Sequence, residues 1–319
     1  SHQEEDTTLD GGETKVYANG AIHTYGTNGF GIVAQSIGGG GGFFTGNANT
    51  IDTVSFQAKQ HRAGAGDVTV KLDGATIVTT GDGAAGVIAQ SIAGGGGLAA
   101  DLTGTLSYAA PPSSGYNYYG DSIRYAGLVS VNADAGTSIS TSGRNAHGIV
   151  AQATAGSGGI FQKDGATVIG SLGRETDTTG AAVSIDLAGS VHAAQGWAIV
   201  AQTQDRYVNI VVEEGGSAYG KLGFVYAMVS SQGTISIDNR GHADGSVKKL
   251  VGGSSSTTSA DGAISLAATP EAGRSVFINR GTGVLNTGTR TETDTFLNAG
   301  TIDIGGAGET MRTVFTGDV

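Results

Sequence analysis

A short phrase recurs along this chain and constrains its fold more than any other feature. It reads Gly-Ile-Val-Ala-Gln-Ser-Ile at 31–37 and Gly-Val-Ile-Ala-Gln-Ser-Ile at 86–92, and a run of glycines follows both copies. Shorter copies read Gly-Ile-Val-Ala-Gln at 148–152 and Ala-Ile-Val-Ala-Gln at 198–202, and a degraded copy, Ala-Met-Val-Ser-Ser, lies at 227–231. Such repetition is typical of proteins in which each repeat packs on its neighbours along one axis.

The rest of each repeat predicts short β-strands separated by tight turns. The segments 68–72, 183–187 and 234–238 alternate apolar and polar residues, as half-buried strands do. Glycine supplies 57 of the 319 residues and bounds many of these segments, where turns need a positive φ. No long segment shows the 3.6-residue period of an amphipathic helix. The chain is therefore predicted to be all-β.

The near-identical strands favour a coil in which like stacks upon like. In a parallel β-solenoid, successive rungs hydrogen-bond about 4.8 Å apart, and equivalent side chains form ladders along the axis. We therefore predict a right-handed parallel β-helix with loop insertions, with about 20–30 residues in each of roughly ten rungs. A β-sandwich or barrel would also explain many short strands, but not one phrase that recurs in every block.

Alternation within the phrase divides its side chains between the two sides of the wall. The first apolar residue and the alanine two positions later are predicted to face inward, and the glutamine after that alanine to face outward. The opposite arrangement, with a buried glutamine ladder, is the alternative. The predicted ladder consists of Ile32, Ala34, Gln35, Val87, Ala89, Gln90, Ile149, Ala151, Gln152, Ile199, Ala201 and Gln202. In the degraded copy, Met228 is aligned with Ile199 and Ser230 with Ala201.

The repeats also predict how the chain is divided. The glycine runs after the first two copies are interpreted as flexible loops leaving the wall. The predicted regions are an N-terminal segment at 1–14, β-helix repeats at 15–245 with insertions at 43–66, 98–126 and 153–179, a flexible Ser/Thr/Gly-rich loop at 246–262, and C-terminal rungs at 263–319.

Charge and cysteine content narrow the classes of partner. The formal net charge is −11, from 17 basic and 28 acidic residues. Nucleic acids and anionic membrane surfaces are poor partners for such a chain, because binding to them relies on basic residues that replace counterions. The chain contains no cysteine, which excludes disulfides, thiolate catalysis and thiolate metal sites.

The repeated phrases and their glycine runs, at 31–42 and 86–97, resemble the passenger domains of bacterial autotransporters, the secreted portions of type V secretion proteins. The segments 277–281 and 296–303 resemble the Asn-x-Gly rungs that lie close to the membrane-anchoring barrel. Together the similarities cover most of 15–305. The resemblance implies a signal peptide upstream and a translocator barrel downstream, the latter being the passenger's link to the outer membrane. It also implies exposure at the bacterial surface or secretion, and a role in adhesion and virulence.

Motifs for chemistry are weak in this sequence. Gly81–Gly86 matches the letters of a dinucleotide-binding loop, but strand residues come after it where that site needs a helix N-terminus. Ser122 lacks the histidine and aspartate motifs that would activate it. We therefore predict no catalytic residue, no cofactor and no metal site. The carboxylates considered for a polysaccharide-acting enzyme, the alternative function, are Asp52, Asp67, Asp101, Asp121 and Asp164.

Half of the ten tyrosines are concentrated between 108 and 125. Exposed tyrosine and arginine side chains are typical of recognition surfaces, because they offer contact area at small entropic cost. The candidate binding surface consists of Tyr116, Tyr118, Tyr119, Arg124 and Tyr125; the alternative is that this segment packs onto the wall. The sequence thus predicts a non-enzymatic adhesin that binds a host surface protein or glycan, or another copy of itself. A passive spacer within a larger passenger is a further alternative.

Overall fold

The computed structural model describes most of the repeat region and parts of both flanks. The described residues are 10–38, 41–46, 53–54, 64–93, 96–101, 107–108, 125–154, 158–163, 166–169, 182–203, 206–229, 233–244, 247–251, 255–256, 266–267, 274–281, 284–286, 290–303 and 314–318. Within them, every regular element is a β-strand, as predicted.

Most strands belong to three stacks, named here faces A, B and C. Face A contains β1 (Thr14–Ala18), β6 (Val68–Leu72), β11 (Leu128–Ala133), β16 (Ala182–Leu187), β19 (Tyr207–Val212), β22 (Thr234–Asn239), β27 (Arg274–Asn279) and β29 (Arg290–Asn298). Face B contains β2 (Ala21–Thr24), β7 (Thr76–Thr79), β12 (Ser138–Thr141), β17 (Ser190–Ala193), β20 (Ser217–Gly220), β23 (His242–Asp244), β28 (Val284–Asn286) and β30 (Thr301–Asp303). Face C contains β3 (Ile32–Ile37), β8 (Val87–Ile92), β13 (Ile149–Thr154), β18 (Trp197–Thr203), β21 (Gly223–Val229) and β24 (Val247–Val251).

The remaining strands lie outside these stacks or at their end. A four-stranded outer sheet is formed by β4 (Gly41–Gly46), β9 (Gly96–Asp101), β14 (Gly158–Lys163) and β15 (Ala166–Ile169). β31 (Val314–Asp318) pairs with β29. Two small pairs are β5 (Thr53–Val54) with β10 (Ser107–Tyr108), and β25 (Ser255–Ser256) with β26 (Leu266–Ala267).

Each of the first six rungs contributes one strand to face A, then one to face B and one to face C. The pairings within the faces are parallel, and the eight strands of face B mark eight rungs in the described part of the chain. The register places like upon like: Gln35 pairs with Gln90, Gln90 with Gln152, and Gln152 with Gln202. This stacking of equivalent strands confirms the all-β, parallel β-helix class predicted from the repeated phrase.

Near the C-terminal end, one long strand joins two faces. The start of β29 pairs with β24 of face C through Thr291 and Val247. Its end pairs with β27 of face A, where Thr295 lies opposite Val276. A single strand therefore completes one rung and begins the next.

The main core fills the space between the three faces with Val, Ile, Leu and Ala side chains. β6 illustrates the pattern, because Val68, Val70 and Leu72 are fully buried while Thr69 and Lys71 face outward. Full burial of such a side chain contributes about 1.5–3 kcal/mol. Repetition of this pattern in the rungs from Val68 to Ala243 gives one continuous apolar core along the axis.

A second core lies on the other side of face C, beneath the outer sheet. It contains Ile88 and Val150 of face C together with Leu98 and Ile160 of the outer sheet. The glycine runs lead directly into this sheet, since Gly41, Gly96 and Gly158 begin β4, β9 and β14. The interpretation of the first two glycine runs as flexible loops is therefore wrong for Gly41, Gly42, Gly96 and Gly97, which begin strands that cover face C.

Gly97 shows why the outer sheet begins with glycine. Its φ is +145°, a region that other residues rarely adopt. A Cβ atom placed there would overlap the carbonyl oxygen of Gly42 in the neighbouring strand. Only glycine fits where two outer strands approach this closely.

The structure corrects two further boundaries. The degraded fifth repeat begins three residues earlier than predicted, because Ile199 pairs with Val225 and Ala201 with Ala227, which puts Met228 opposite Gln202. Val247–Val251, assigned from sequence to a flexible loop, forms β24, which pairs with β21. Its five residues pair in register with residues 225–229 of the preceding rung, so the segment is a strand despite its serine-rich surroundings.

Candidate binding surface

The predicted tyrosine surface can be placed only in part. Tyr116, Tyr118, Tyr119 and Arg124 lie outside the described residues. The Tyr125 side chain is 40% exposed, while its carbonyl oxygen accepts a hydrogen bond from the Ala65 amide at 2.8 Å. Tyr125 therefore lies three residues before β11, contacts the preceding rung through its backbone, and has a partly accessible ring.

The predicted ladder residues lie where two packed layers meet. The apolar members, Ile32, Val87, Ile149 and Ile199, and the four alanines two positions later all belong to the main core, as predicted. The glutamines point the other way, also as predicted. Gln90, Gln152 and Gln202 are nevertheless fully buried, because the outer sheet covers them. The expectation that the glutamine ladder reaches solvent is therefore wrong in these rungs.

The buried glutamines form a hydrogen-bonded chain along the axis. The Nε2 atom of Gln35 donates to Oε1 of Gln90 at 2.7 Å, and that of Gln90 to Oε1 of Gln152 at 2.8 Å. The Nε2 atom of Gln152 donates to Oε1 of Gln202 at 2.5 Å. Gln90 and Gln152 also donate weakly to the carbonyl oxygens of Gly97 and Gly159, at 3.4 and 3.3 Å. The ladder thus fastens the outer sheet to face C and is not an accessible ligand surface.

A shorter amide ladder replaces apolar residues at one interior position of face A. The row of Leu72, Ala133, Leu187 and Val212 continues as Asn239 and Asn279. Nδ2 of Asn239 donates to Oδ1 of Asn279 at 2.7 Å, and Nδ2 of Asn279 donates to Oδ1 of Asn298 at 2.8 Å. These asparagines begin the Asn-x-Gly segments of the C-terminal rungs.

Charged groups on the outside of face A form a network. The Arg280 guanidinium contacts Asp238 at 2.8 Å, and Arg240 bridges Asp238 at 3.0 Å and Glu213 at 2.9 Å. Burial alone would raise the pKa of Asp238, but hydrogen bonds from Arg280 and Arg240 outweigh it and lower that pKa. Burial and the nearby Glu213 carboxylate raise the pKa of Asp186. The network ties neighbouring rungs together.

His147 is fully buried at the corner that leads into β13. Its Nδ1 atom accepts a hydrogen bond from the Trp197 amide at 3.0 Å, so the neutral ring carries its proton on Nε2. Nε2 has no hydrogen-bond partner within the described residues. Burial lowers the pKa of His147 to about 3, because no nearby charge compensates the desolvated cation.

The outside of face B is polar and nearly free of charge. Strands β2, β7, β12, β17 and β20 contain no Asp, Glu, Lys or Arg. Strand register creates two rows of outward side chains along the axis. The first row is Thr76, Ser138, Ser190, Ser217 and His242, and the second is Val78, Ser140, His192, Tyr219 and Asp244.

Two aromatic rings stand together in the second row. The imidazole of His192 and the ring of Tyr219 stack with centroids 4.7 Å apart and planes at 22°. The ring nitrogens of His192 and the hydroxyls of Tyr219, Ser140 and Ser217 form no hydrogen bond within the described chain. Sequence reasoning missed this surface, although the serine that begins Ser-Ile-Ser, Ser-Val-His and Ser-Ala-Tyr marks it once the strands are aligned.

The carboxylates considered for an enzyme are only partly described. Oδ1 of Asp67 accepts a hydrogen bond from the Leu128 amide at 2.8 Å, which links two rungs. Asp101 ends β9 of the outer sheet, and Asp52, Asp121 and Asp164 lie outside the described residues. Among the residues that are described, no group of three or more His, Asp or Glu side chains is placed to hold a metal ion. No helix in the same residues is long and apolar enough to cross a membrane.

Comparisons of this chain with known protein families, with curated proteins and with solved structures yield no match.

Proposed function

We propose that this chain is the non-enzymatic passenger of a bacterial autotransporter, presented at the cell surface or secreted, where it acts as an adhesin. The observation that carries the proposal is the in-register stacking of the repeated phrase, with Gln35, Gln90, Gln152 and Gln202 in one hydrogen-bonded row. A passenger must fold outside the cell after threading a pore. A coil built of successive rungs suits that route, because each rung pairs with the one before it.

Composition and surface support the same proposal. The chain has no cysteine that would cross-link it before export and carries a net charge of −11. Its outer sheet covers face C, while the outside of face B offers the polar side chains of Ser140, His192 and Tyr219, which form no side-chain hydrogen bond within the described residues. A stiff support with an accessible polar face suits binding at a cell surface.

The proposal is tested by displaying the chain on a non-adherent bacterium, fused to an autotransporter signal peptide and barrel. Surface exposure is measured by protease shaving, and adhesion by counting bacteria bound to cultured epithelial cells. The control strain displays an unrelated β-solenoid of similar length on the same barrel. Adhesion clearly above that control is expected. Adhesion equal to the control at equal surface density would overturn the adhesin and favour a passive spacer.

A further inference from the structure

We propose that the outside of face B binds a neutral pyranose ring of a glycan, in a notch above β12 with the His192 ring as one wall; this rests on the proposed adhesin function and names its ligand class. The notch is defined here by Ser138 and Ser140 as its floor and by His192, stacked on Tyr219, as its wall.

The shape of the notch is a consequence of the stacking of the two rings. His192 and Tyr219 occupy adjacent rungs of one row, and their ring centroids are 4.7 Å apart, about one rung spacing. The ring planes therefore stand across the coil axis. The other face of the imidazole is turned toward the preceding rung, where the same row holds Ser140. A long side chain beside a short one leaves a step in the surface.

The chemistry of the notch matches a sugar. The C–H face of a pyranose ring stacks on flat π-systems, and the imidazole presents one such face. Ser138 and Ser140 lie two residues apart in β12, so their hydroxyls are about 7 Å from each other along the strand. Neither hydroxyl has a hydrogen-bond partner within the described residues, so both are available to the hydroxyl groups of a ligand. Tyr219 holds the imidazole upright by stacking on its far side.

Charge indicates which glycans fit. The whole chain carries a net charge of −11, which repels acidic polysaccharides. The strands that form and flank the notch, β7, β12, β17 and β20, contain no charged residue that would pair with a carboxylate or sulfate. The ligand class is therefore a neutral glycan.

The test uses saturation-transfer NMR titrations of the complete chain with chitotriose, cellotriose and β-1,4-galactotriose, and with sialyllactose as an acidic comparison. Binding of at least one neutral trisaccharide is expected, with sialyllactose weaker. Because stacking on one ring contributes modestly, His192→Ala is expected to weaken that binding by about tenfold. Ser140→Phe fills the notch while leaving His192 in place, and is expected to abolish binding.

His23→Ala is the matched control, because His23 is an exposed histidine of the same row but pairs with Val78 and stacks on no ring among the described residues. It is expected to bind as the unchanged chain does. The proposal is overturned if no neutral trisaccharide binds, or if His192→Ala and Ser140→Phe bind like His23→Ala. If bacteria that display these two variants still adhere, the proposed adhesin function is retained and only this site is excluded as its basis. If bacteria that display the unchanged chain adhere no better than those that display the control solenoid, the proposed adhesin function is wrong.

Discussion

Faces B and C belong to the same rungs, but the outer side of face C is buried by the outer sheet, whereas the outer side of face B is exposed. Both alternate inward and outward side chains, and the inward ones share a single core. The outward residues differ in whether a later segment of the chain covers them. Three face C strands, β3, β8 and β13, lead into the outer sheet, which buries Gln90 and Gln152, whereas β17 of face B leads into a turn and leaves His192 exposed. In these three rungs, the segment that follows the face C strand thus buries the outward side of that strand.

The largest effect is expected from removing the cover of face C. Gly97→Val puts a branched side chain at a φ of +145° and against the Gly42 carbonyl, so the outer sheet must shift. We expect a loss of about 3 kcal/mol or more in the free energy of unfolding, measured by denaturant titration. Hydrogen exchange should accelerate in β8 and β13 while β7 and β12 stay protected.

Gly20→Ala is the control for this change, since a Cβ atom at Gly20 meets nothing within 4 Å. Its free energy of unfolding should stay within about 0.5 kcal/mol of the unchanged chain. If Gly97→Val exposes β7 and β12 as much as β8 and β13, the outer sheet does not protect face C selectively.

A second test compares two outward residues of the same rung, Gln152 on face C and Ser140 on face B. Gln152→Leu leaves the Nε2 atom of Gln90 and the Oε1 atom of Gln202 without their ladder partner in a buried layer. Losing these two hydrogen bonds within a buried layer should cost about 2 kcal/mol in the free energy of unfolding. Ser140→Val should change it by less than about 0.5 kcal/mol, because that side chain is outside the core. Equal costs would show that the outer sheet does not bury the ladder.

The sequence predicted much of this fold, because identity between the repeats determines the pairing. Gln35, Gln90, Gln152 and Gln202 are recognisable as one position without coordinates, and alternation correctly predicts their direction. Their burial was not predictable, because the covering strands share little besides glycine: Leu98 and Ala99 pair with Ile160 and Phe161. Where the phrase itself degrades, around Met228, the alignment slipped by three residues because several apolar residues fit each position.

The candidate site depends on more than any one repeat contains. Ser140, His192 and Tyr219 lie far apart in the chain and become neighbours only through the register of β12, β17 and β20. Neither Ser-Ile-Ser nor Ser-Val-His indicates a binding site by itself. The tyrosine-rich segment was conspicuous in composition, yet all of its proposed residues except Tyr125 lie outside the described structure. Prediction of such a surface requires the strand register first.

Acidification should destabilise the folded chain through its buried histidine, His147. The folded-state pKa of His147 is about 3, below the ordinary value of 6.5, so between these values the unfolded chain binds more protons than the folded one. The contribution of the neutral His147 ring to the free energy of unfolding is therefore complete above pH 6.5 and is lost as the pH falls toward 3. The slope attributable to this residue is about 1.4 kcal/mol per pH unit. His147→Leu, titrated with denaturant at pH 7 and pH 5, should show a shallower dependence than the unchanged chain; an identical dependence would contradict the buried neutral ring.

The smallest effect is expected at the corner between faces B and C, where Asp82 and Arg144 form an ion pair across two rungs. Oδ2 of Asp82 lies 2.6 Å from Nη2 of Arg144, and hydrogen bonds from Arg144 lower the pKa of Asp82. The contribution of this ion pair to stability is present above the pKa that Asp82 has in the unfolded chain. It is lost as the pH falls through the lower pKa that Asp82 has in the folded chain. The Arg144 side chain is 69% exposed, so water and salt screen the attraction. A double-mutant cycle with Asp82→Asn and Arg144→Gln should therefore give a coupling of about 0.5 kcal/mol, which declines in 1 M salt. A coupling energy above 2 kcal/mol that does not change with salt would mean that this ion pair is shielded from solvent, as the outer side of face C is.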